Sequence, residues 1–496
     1  MSLMSRKALA KNSLINLAGF GLPLVAGLIA IPLIVRGFGV ERFGVLTLAW
    51  AVIGYFSLFD MGIGRAITQS MAARLGSASA RDLSRLAWTG LLLMFIFSLV
   101  GAVIVASLSP WFVSSILNLP HALRAETIEA FILLAAAIPA VVLSAGLAGI
   151  LTALQRFDLI NALRIPMGMM IFLVPLAILP YSKSMAYVCA GLLIVRMLFL
   201  VLHAAACFYA YPPMRAHRGI ERSEIRELLD FGGWMTVSNI IGPLMVNMDR
   251  FVIGAVLTLS AVAYYVTPYE MVTRLWAIPG ALVSVLFPVF AAAKAGASSH
   301  AASLYSMGGR AILGVLAPIV LVLVVFAEEG LRMWLGDDFA QQSTVVLQWL
   351  AIGVFINSYA QVPFALIQGV GRADITAKLH LLELPLYYAL MLWLLNMLGI
   401  VGVAIAWLLR IVADAALLTW IAHRLAKDTA IASRQIAPVL IIPLVLFSVG
   451  ITLDGITVKL IFTGLAFLAI LTVCFYSASL EEKNAIRKRA WPFPSN

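Results

Sequence analysis

An all-α integral membrane protein with about fourteen transmembrane helices is the fold class this sequence predicts, and three observations predict it. Of its 496 residues, 62% are hydrophobic and only 11% are charged, with a mean hydropathy of +1.02. A soluble chain of this length could not hide so much apolar surface. The basic residues follow the short polar connections between apolar runs. The runs themselves repeat after the sixth. The net charge of +11 therefore reads as membrane orientation and not as a surface for nucleic acid.

The apolar runs lie at approximately 13–35, 44–65, 86–108, 127–151, 161–180, 185–210, 233–256, 262–291, 308–327, 344–368, 376–398, 400–422, 435–453 and 457–478. A helix needs about 20 residues to cross a bilayer, and each run comes close to or exceeds that. The basic N-terminus (Arg6, Lys7, Lys11) leads into a run with no small-residue cleavage site, so the first run reads as a retained span. Cys189, Cys207 and Cys474 sit in apolar runs, with no disulfide or metal-ligand spacing. The longest polar connection, 211–232, holds GIERSEIRELLDFG, whose mixed helical spacing fits an amphipathic linker helix or a solvated one.

With the N-terminus placed in the cytoplasm, 24 of the 34 Lys and Arg fall on the cytoplasmic side and 6 on the other. Arg196, Arg250, Arg274 and Arg410 lie inside spans. A missed span would scramble that bias, so both termini are expected in the cytoplasm. An offset of 219 residues carries spans two and three onto spans eight and nine. At an offset of 216, Leu154-Gln-Arg-Phe-Asp-Leu159 answers Val370-Gly-Arg-Ala-Asp-Ile375. An offset of six spans makes the halves parallel copies. The expected organisation is a six-helix lobe (1–210), a linker (211–232), a second six-helix lobe (233–424), and two further helices with a basic cytoplasmic tail (425–496).

Charge inside spans is expensive and marks function or pairing. Span seven, Trp234–Leu257, holds Asp249 and Arg250 side by side and is interrupted by Gly242-Pro243. Glu270 and Arg274 on span eight, and Arg410 and Asp414 on span twelve, stand one turn apart and share a face. They read as self-neutralised pairs, or as arginines offered to phosphate with acids holding the site between cargoes. Asp60 and Arg65 flank Gly62 and Gly64 in FDMGIGRA, five residues apart and so not on one face. Glu383 on span eleven has no charge at helical spacing and reads as a proton or sodium site, or as a protonated structural acid. The candidate anion-binding set is thus Arg65, Arg196, Arg250, Arg274 and Arg410. The candidate ion-coupling set is Asp60, Asp249, Glu270, Glu383 and Asp414. Pro23 and Pro32 in span one and Gly242 and Pro243 in span seven are candidate hinges, or static kinks.

Three stretches carry a family resemblance: GFGVERFGVLTLAWAVIGYFSLFDMGIGRAITQ (37–69), NMDRFVIG (247–254), and the LQRFD/GRAD pair. With the plan of six, six and two spans, the chain resembles the polysaccharide transporters, or O-antigen-type flippases, of the multidrug/oligosaccharidyl-lipid/polysaccharide exporter superfamily. The resemblance implies a MATE-like architecture of two lobes around a central cavity in a bacterial inner membrane. It implies alternating access, with an undecaprenyl-pyrophosphate-linked oligosaccharide moved from the cytoplasmic to the periplasmic leaflet. The partners it implies are that cargo, membrane lipids and a polysaccharide polymerase or other assembly component, for a protein that works as a monomer without a cofactor. A proton or sodium gradient is a plausible drive, since one charge crossing 100 mV gains about 2.3 kcal/mol.

Two other functions compete. A cation-coupled small-molecule exporter would share the fold. A membrane-embedded polysaccharide polymerase or ligase would want a large external loop with catalytic groups. The richest external segment, Glu328–Gln342, is short and has no histidine, and no nucleotide-binding glycine loop is present. The chain therefore reads as a transporter and not an enzyme.

Overall fold

The computed structural model describes residues 6–75, 78–293 and 298–477, and every regular element among them is helical. The first helices are α1 (Arg6–Phe38), α2 (Val40–Tyr55), α3 (Ile63–Arg74), α4 (Ala80–Trp111), α5 (His121–Ala153), α6 (Phe157–Ile178) and α7 (Met185–Ala210). A short α8 (Pro213–Ala216) leads to α9 (Arg222–Val256). Then come α10 (Leu259–Thr273), α11 (Ala277–Ala293), α12 (Ser298–Val325), α13 (Ala327–Leu335) and α14 (Asp337–Gly369). The last four are α15 (Ala373–Leu398), α16 (Ile400–Leu425), α17 (Thr429–Ile451) and α18 (Ile456–Ser477). The chain divides into two compact units, Met1–Ala263 and Tyr264–Asn496.

Ten helices among the described residues are long and apolar enough to cross a membrane. The expected spans one, two, seven and eight are not among the ten. They fall on α1, on α2 with α3, on α9, and on α10 with α11. The α9 helix begins at Arg222, so the expected linker helix and span seven form one rod of 35 residues.

The repeat extends to the helix ends. The 219-residue offset sets α2 over α10 and the end of α3 over the end of α11. An offset of 216 sets α5 on α14, and 215 sets α7 on α16. Spans two and eight are broken at matching places. The first breaks through a 3₁₀ turn at Phe56–Asp60 followed by Met61 and Gly62, both at positive φ (49° and 70°). The second breaks through a 3₁₀ turn at Arg274–Trp276. Gly62 takes a left-handed conformation that only glycine adopts cheaply.

Each unit packs on one deeply buried helix, α5 in the first and α14 in the second. Small residues permit the close approach that membrane packing relies on. A Cβ on Gly149 of α5 would meet the Gly64 carbonyl oxygen of α3 at 2.9 Å, and one on Gly353 of α14 would meet the Trp407 ring of α16 at 2.3 Å. In the first unit the linker is pinned by charge. Arg74 at the end of α3 bridges Glu224 (2.7 Å) and Glu227 (2.5 Å) of α9, and Arg85 of α4 reaches Glu221 (2.9 Å). The Trp88 indole N–H donates to the Met214 carbonyl at 3.0 Å. In the second unit, Lys459 of α18 donates to Glu329 of α13 at 2.8 Å. Burial pushes the Glu329 carboxyl up, but the Lys459 ammonium, a backbone N–H and the Arg332 guanidinium together hold it below its ordinary value.

The Leu154/Val370 motif folds identically in both copies. Leu154 N–H donates to Ile150 O and Arg156 N–H to Leu151 O; Val370 N–H donates to Leu366 O and Arg372 N–H to Ile367 O. Arg156 then clasps Asp158 (3.0 and 2.8 Å) and Arg372 clasps Asp374 (2.9 and 3.3 Å). The turn needs one residue at positive φ, which is Gln155 (57°) in one copy and Gly371 (83°) in the other. A non-glycine residue there costs about 1 kcal/mol, partly offset by the freer unfolded glycine chain. Gly371→Gln should therefore lower thermal stability measurably. Gln155→Gly should leave it unchanged or raise it, as read by thermal unfolding of the purified protein.

Candidate functional site

The structure sorts the ten candidate charges into distinct environments. In the first unit, Asp60 is buried and its Oδ1 accepts the Gly62 N–H at 2.6 Å. That bond ties the carboxylate to the broken backbone, in the manner of an Asx turn at the start of α3. Arg65, on the first turn of α3, is exposed. Arg196 is half-buried on α7, where its Nη1 lies 3.3 Å from the Met167 sulfur of α6. Among the described residues no carboxylate forms an ion pair with it. Asp249 and Arg250 are both buried, at 3% and 4% exposure, and the Arg250 N–H donates to Asp249 Oδ1 at 2.8 Å. In this conformation neither is open to a ligand.

In the second unit, Arg274 Nη2 and Glu270 Oε2 pair at 3.2 Å, both partly open to solvent. The parallel expectation for Arg410 and Asp414 is not met. Asp414 Oδ1 faces His380 Nε2 of α15 at 3.6 Å, and the Arg410 guanidinium lies over the Tyr387 ring, 5.2 Å from its centroid. The contacts across to α15 displace the i, i+4 pair.

Glu383 completes this arrangement. Donor atoms of His380, Glu383 and Asp414 all lie within 4.8 Å of one another. Glu383 and Asp414 are 7% and 6% exposed. Neither Glu383 oxygen receives a hydrogen bond from a described N–H or O–H group, and neither does Asp414 Oδ1. The Phe364 ring of α14 stacks on the His380 imidazole at 5.9 Å. Two buried acids and an imidazole can hold a cation or exchange a proton.

Counting charges along the chain misses His380, because a neutral imidazole does not register as a charge. The signal was present as His380-x-x-Glu383, an i, i+3 spacing that places both side chains on one face of α15. Of the candidate hinges, Pro23 and Pro32 lie inside the uninterrupted α1, where Pro23 packs toward Gly168 of α6. Gly242 and Pro243 fall where α9 is helical, but their side-chain surroundings lie outside the described residues.

Residues 33–344 match the family described as "Polysaccharide biosynthesis protein". The chain is 30% identical over 422 residues to a protein of Shigella flexneri named "Putative O-antigen transporter", covering 84% of this chain and 98% of that one. It is 22% identical over 361 residues to the "Uncharacterized membrane protein EpsK" of Bacillus subtilis (strain 168), covering 70% and 69%. The fold is similar to that of a solved structure titled "Lipid II flippase MurJ, inward closed conformation", with a TM-score of 0.71 at 12% identity over 93% of this chain and 99% of that one. An inward-facing multidrug resistance MATE family transporter superposes with a TM-score of 0.66 at 13% identity, covering 85% and 98%.

The Arg274–Glu270 pair can be separated from a role in binding. Arg274→Glu should abolish transport, and the exchange Glu270→Arg/Arg274→Glu should fail to restore it if the guanidinium must stand at its own position. Restoration by the exchange, measured at equal protein level, would reduce Arg274 to a structural partner of Glu270.

Proposed function

The chain belongs to the polysaccharide biosynthesis protein family, and from that premise we propose that it flips an undecaprenyl-pyrophosphate-linked oligosaccharide from the cytoplasmic to the periplasmic leaflet. The observation that carries this reading is the likeness to the Shigella flexneri protein, which runs through 98% of that relative's length. The cargo's chemistry suits the chain's own residues. A pyrophosphate wants guanidinium groups that no carboxylate already clasps. Arg65 is exposed and Arg196 stands against a thioether, so these two are the first choices for binding it. Arg274 is the third, once Glu270 releases it. The prenyl tail stays in lipid throughout.

No covalent step is involved. Cargo enters from the cytoplasmic face, the access changes sides, and release follows. The breaks at Phe56–Gly62 and Arg274–Trp276 are the natural places for bending, because a 3₁₀ turn lacks the regular ladder that stiffens a helix. The protein sits in the bacterial inner membrane with both termini in the cytoplasm, acts as a monomer, and hands its product to a polymerase or other assembly component.

The test is display of the surface glycan in a host lacking the chromosomal copy. Arg65→Glu should abolish display at normal protein level, and Arg65→Lys should retain a fraction of it, because lysine keeps the charge and loses the bidentate fork. Full display by Arg65→Glu would remove this residue from the path. Unchanged drug susceptibility in the deletion host separates this function from small-molecule export.

A further inference from the structure

The buried trio of α15 and α16 poses a charge problem that the cargo does not solve. Glu383 and Asp414 sit on facing helices at the same level. One turn along, Tyr387 of α15 and Arg410 of α16 face each other in turn. One turn the other way, toward the Ala373 end, stands His380, the most exposed of the trio. The charged or titratable groups acting on Glu383 are Asp414, His380 and Arg410. Phe364, contributed by α14, is apolar.

With both acids ionised and the imidazole neutral, these four residues carry one negative charge in excess. Two carboxylates this close in a buried setting do not both stay ionised without compensation. One monovalent positive charge balances the site, whereas a divalent metal would overshoot because Arg410 is already present. A hard cation seeks a shell of oxygens, and an imidazole nitrogen is a poor member of it. A proton satisfies every group. It can rest between Glu383 and Asp414 as an O–H donor to the other carboxylate, and the unpartnered oxygens of Glu383 and Asp414 are the acceptors such a hydrogen bond needs.

We propose that His380, Glu383 and Asp414 form an exchangeable proton site that couples a proton gradient to the transport cycle. The coupling rests on the transport reading above, but the site itself does not. Water delivers a proton to His380, making imidazolium. Its Nε2–H then passes to Asp414 Oδ1 across the 3.6 Å gap, closed by a small rotation or one water, leaving neutral imidazole. The proton is held between Asp414 and Glu383 until access changes sides, and it then leaves to water. Only N–H and O–H bonds form and break, and Arg410 keeps the deprotonated stage tolerable.

Dicyclohexylcarbodiimide modifies protonated carboxyl groups sheltered from water, and its use needs no cargo. Applied to the purified full-length protein in lipid nanodiscs, with peptide mapping by mass spectrometry, it should label Glu383 or Asp414. Labelling should fall as pH rises and should be indifferent to replacing choline chloride by sodium chloride. The double variant Glu383→Gln/Asp414→Asn should lose at least about tenfold of the label. His380→Gln should keep the label and move the pH of half-labelling by about one unit, which a merely structural histidine would not do. No label on the wild-type protein at any pH would overturn the proposal. So would protection by sodium, which would make this a sodium site, or protection by zinc, which would make it a metal site. Normal labelling beside failed glycan transport would instead count against the cargo reading and leave the proton site standing.

Discussion

An uncompensated charge in hydrocarbon is the constraint on which the arrangement of this protein depends. Apart from orientation, almost every decision the chain makes about its acids and guanidiniums answers to it. Asp60 is fixed by a backbone N–H at a helix break. Asp249 and Arg250 are buried together. Glu270 and Arg274 neutralise each other across one turn. Lys459, nearly buried at the start of α18, is answered by Glu329. Against this background, the groups whose charge is answered only in part stand out. They are Arg196, set against a thioether, and the two acids of α15 and α16, which outnumber the one guanidinium beside them, and a transporter has uses for both signs. A pair that is complete in itself contributes to insertion and packing; an incomplete one is open to a cargo or an ion.

The same constraint explains the backbone. A helix can be interrupted in a membrane only where its freed polar groups find partners or water. The break in span two supplies one partner itself, through Asp60 and the Gly62 N–H, and α5 covers it closely at Gly149. At the end of α3, Arg74 is held to the start of α9 by Glu224 and Glu227. The broken span is thus gripped at its end and relieved in its middle. Bending concentrated at the turn would leave the terminal grip intact.

How far this could be read from residues varied with how local the cause was. The correspondence of the Leu154 and Val370 motifs was legible, because the two copies check one another, whereas the turns at Gln155 and Gly371 emerge from the backbone. The Glu270–Arg274 pair was legible because its partners stand one turn apart. Arg410 and Asp414 have the same spacing and behave differently, since partners on α15 lie closer than the next turn of α16. Spacing along one helix cannot reveal what a neighbouring helix will offer. The break at Gly62 was signalled by glycine, whereas the break at Arg274–Trp276 has no glycine or proline within it and emerges only from the repeat. The linker charges were visible, but not that they would be spent on Arg74 and Arg85.

The repeat also shows how one scaffold came to hold opposite charges. The 216-residue offset that joins α6 to α15 places Glu383 over Met167 and His380 over Arg164. The 215-residue offset from α7 to α16 places Asp414 over Phe199 and Arg410 beside Arg196. Between the corresponding helices of the first half lies a guanidinium against the Met167 sulfur. Between those of the second half lie two acids and an imidazole. A thioether neighbour leaves a guanidinium its full charge to offer to an anion. A second carboxylate leaves an acid in need of a proton. Corresponding helix pairs thus carry a guanidinium in one half and two acids in the other, an asymmetry that two identical halves could not hold.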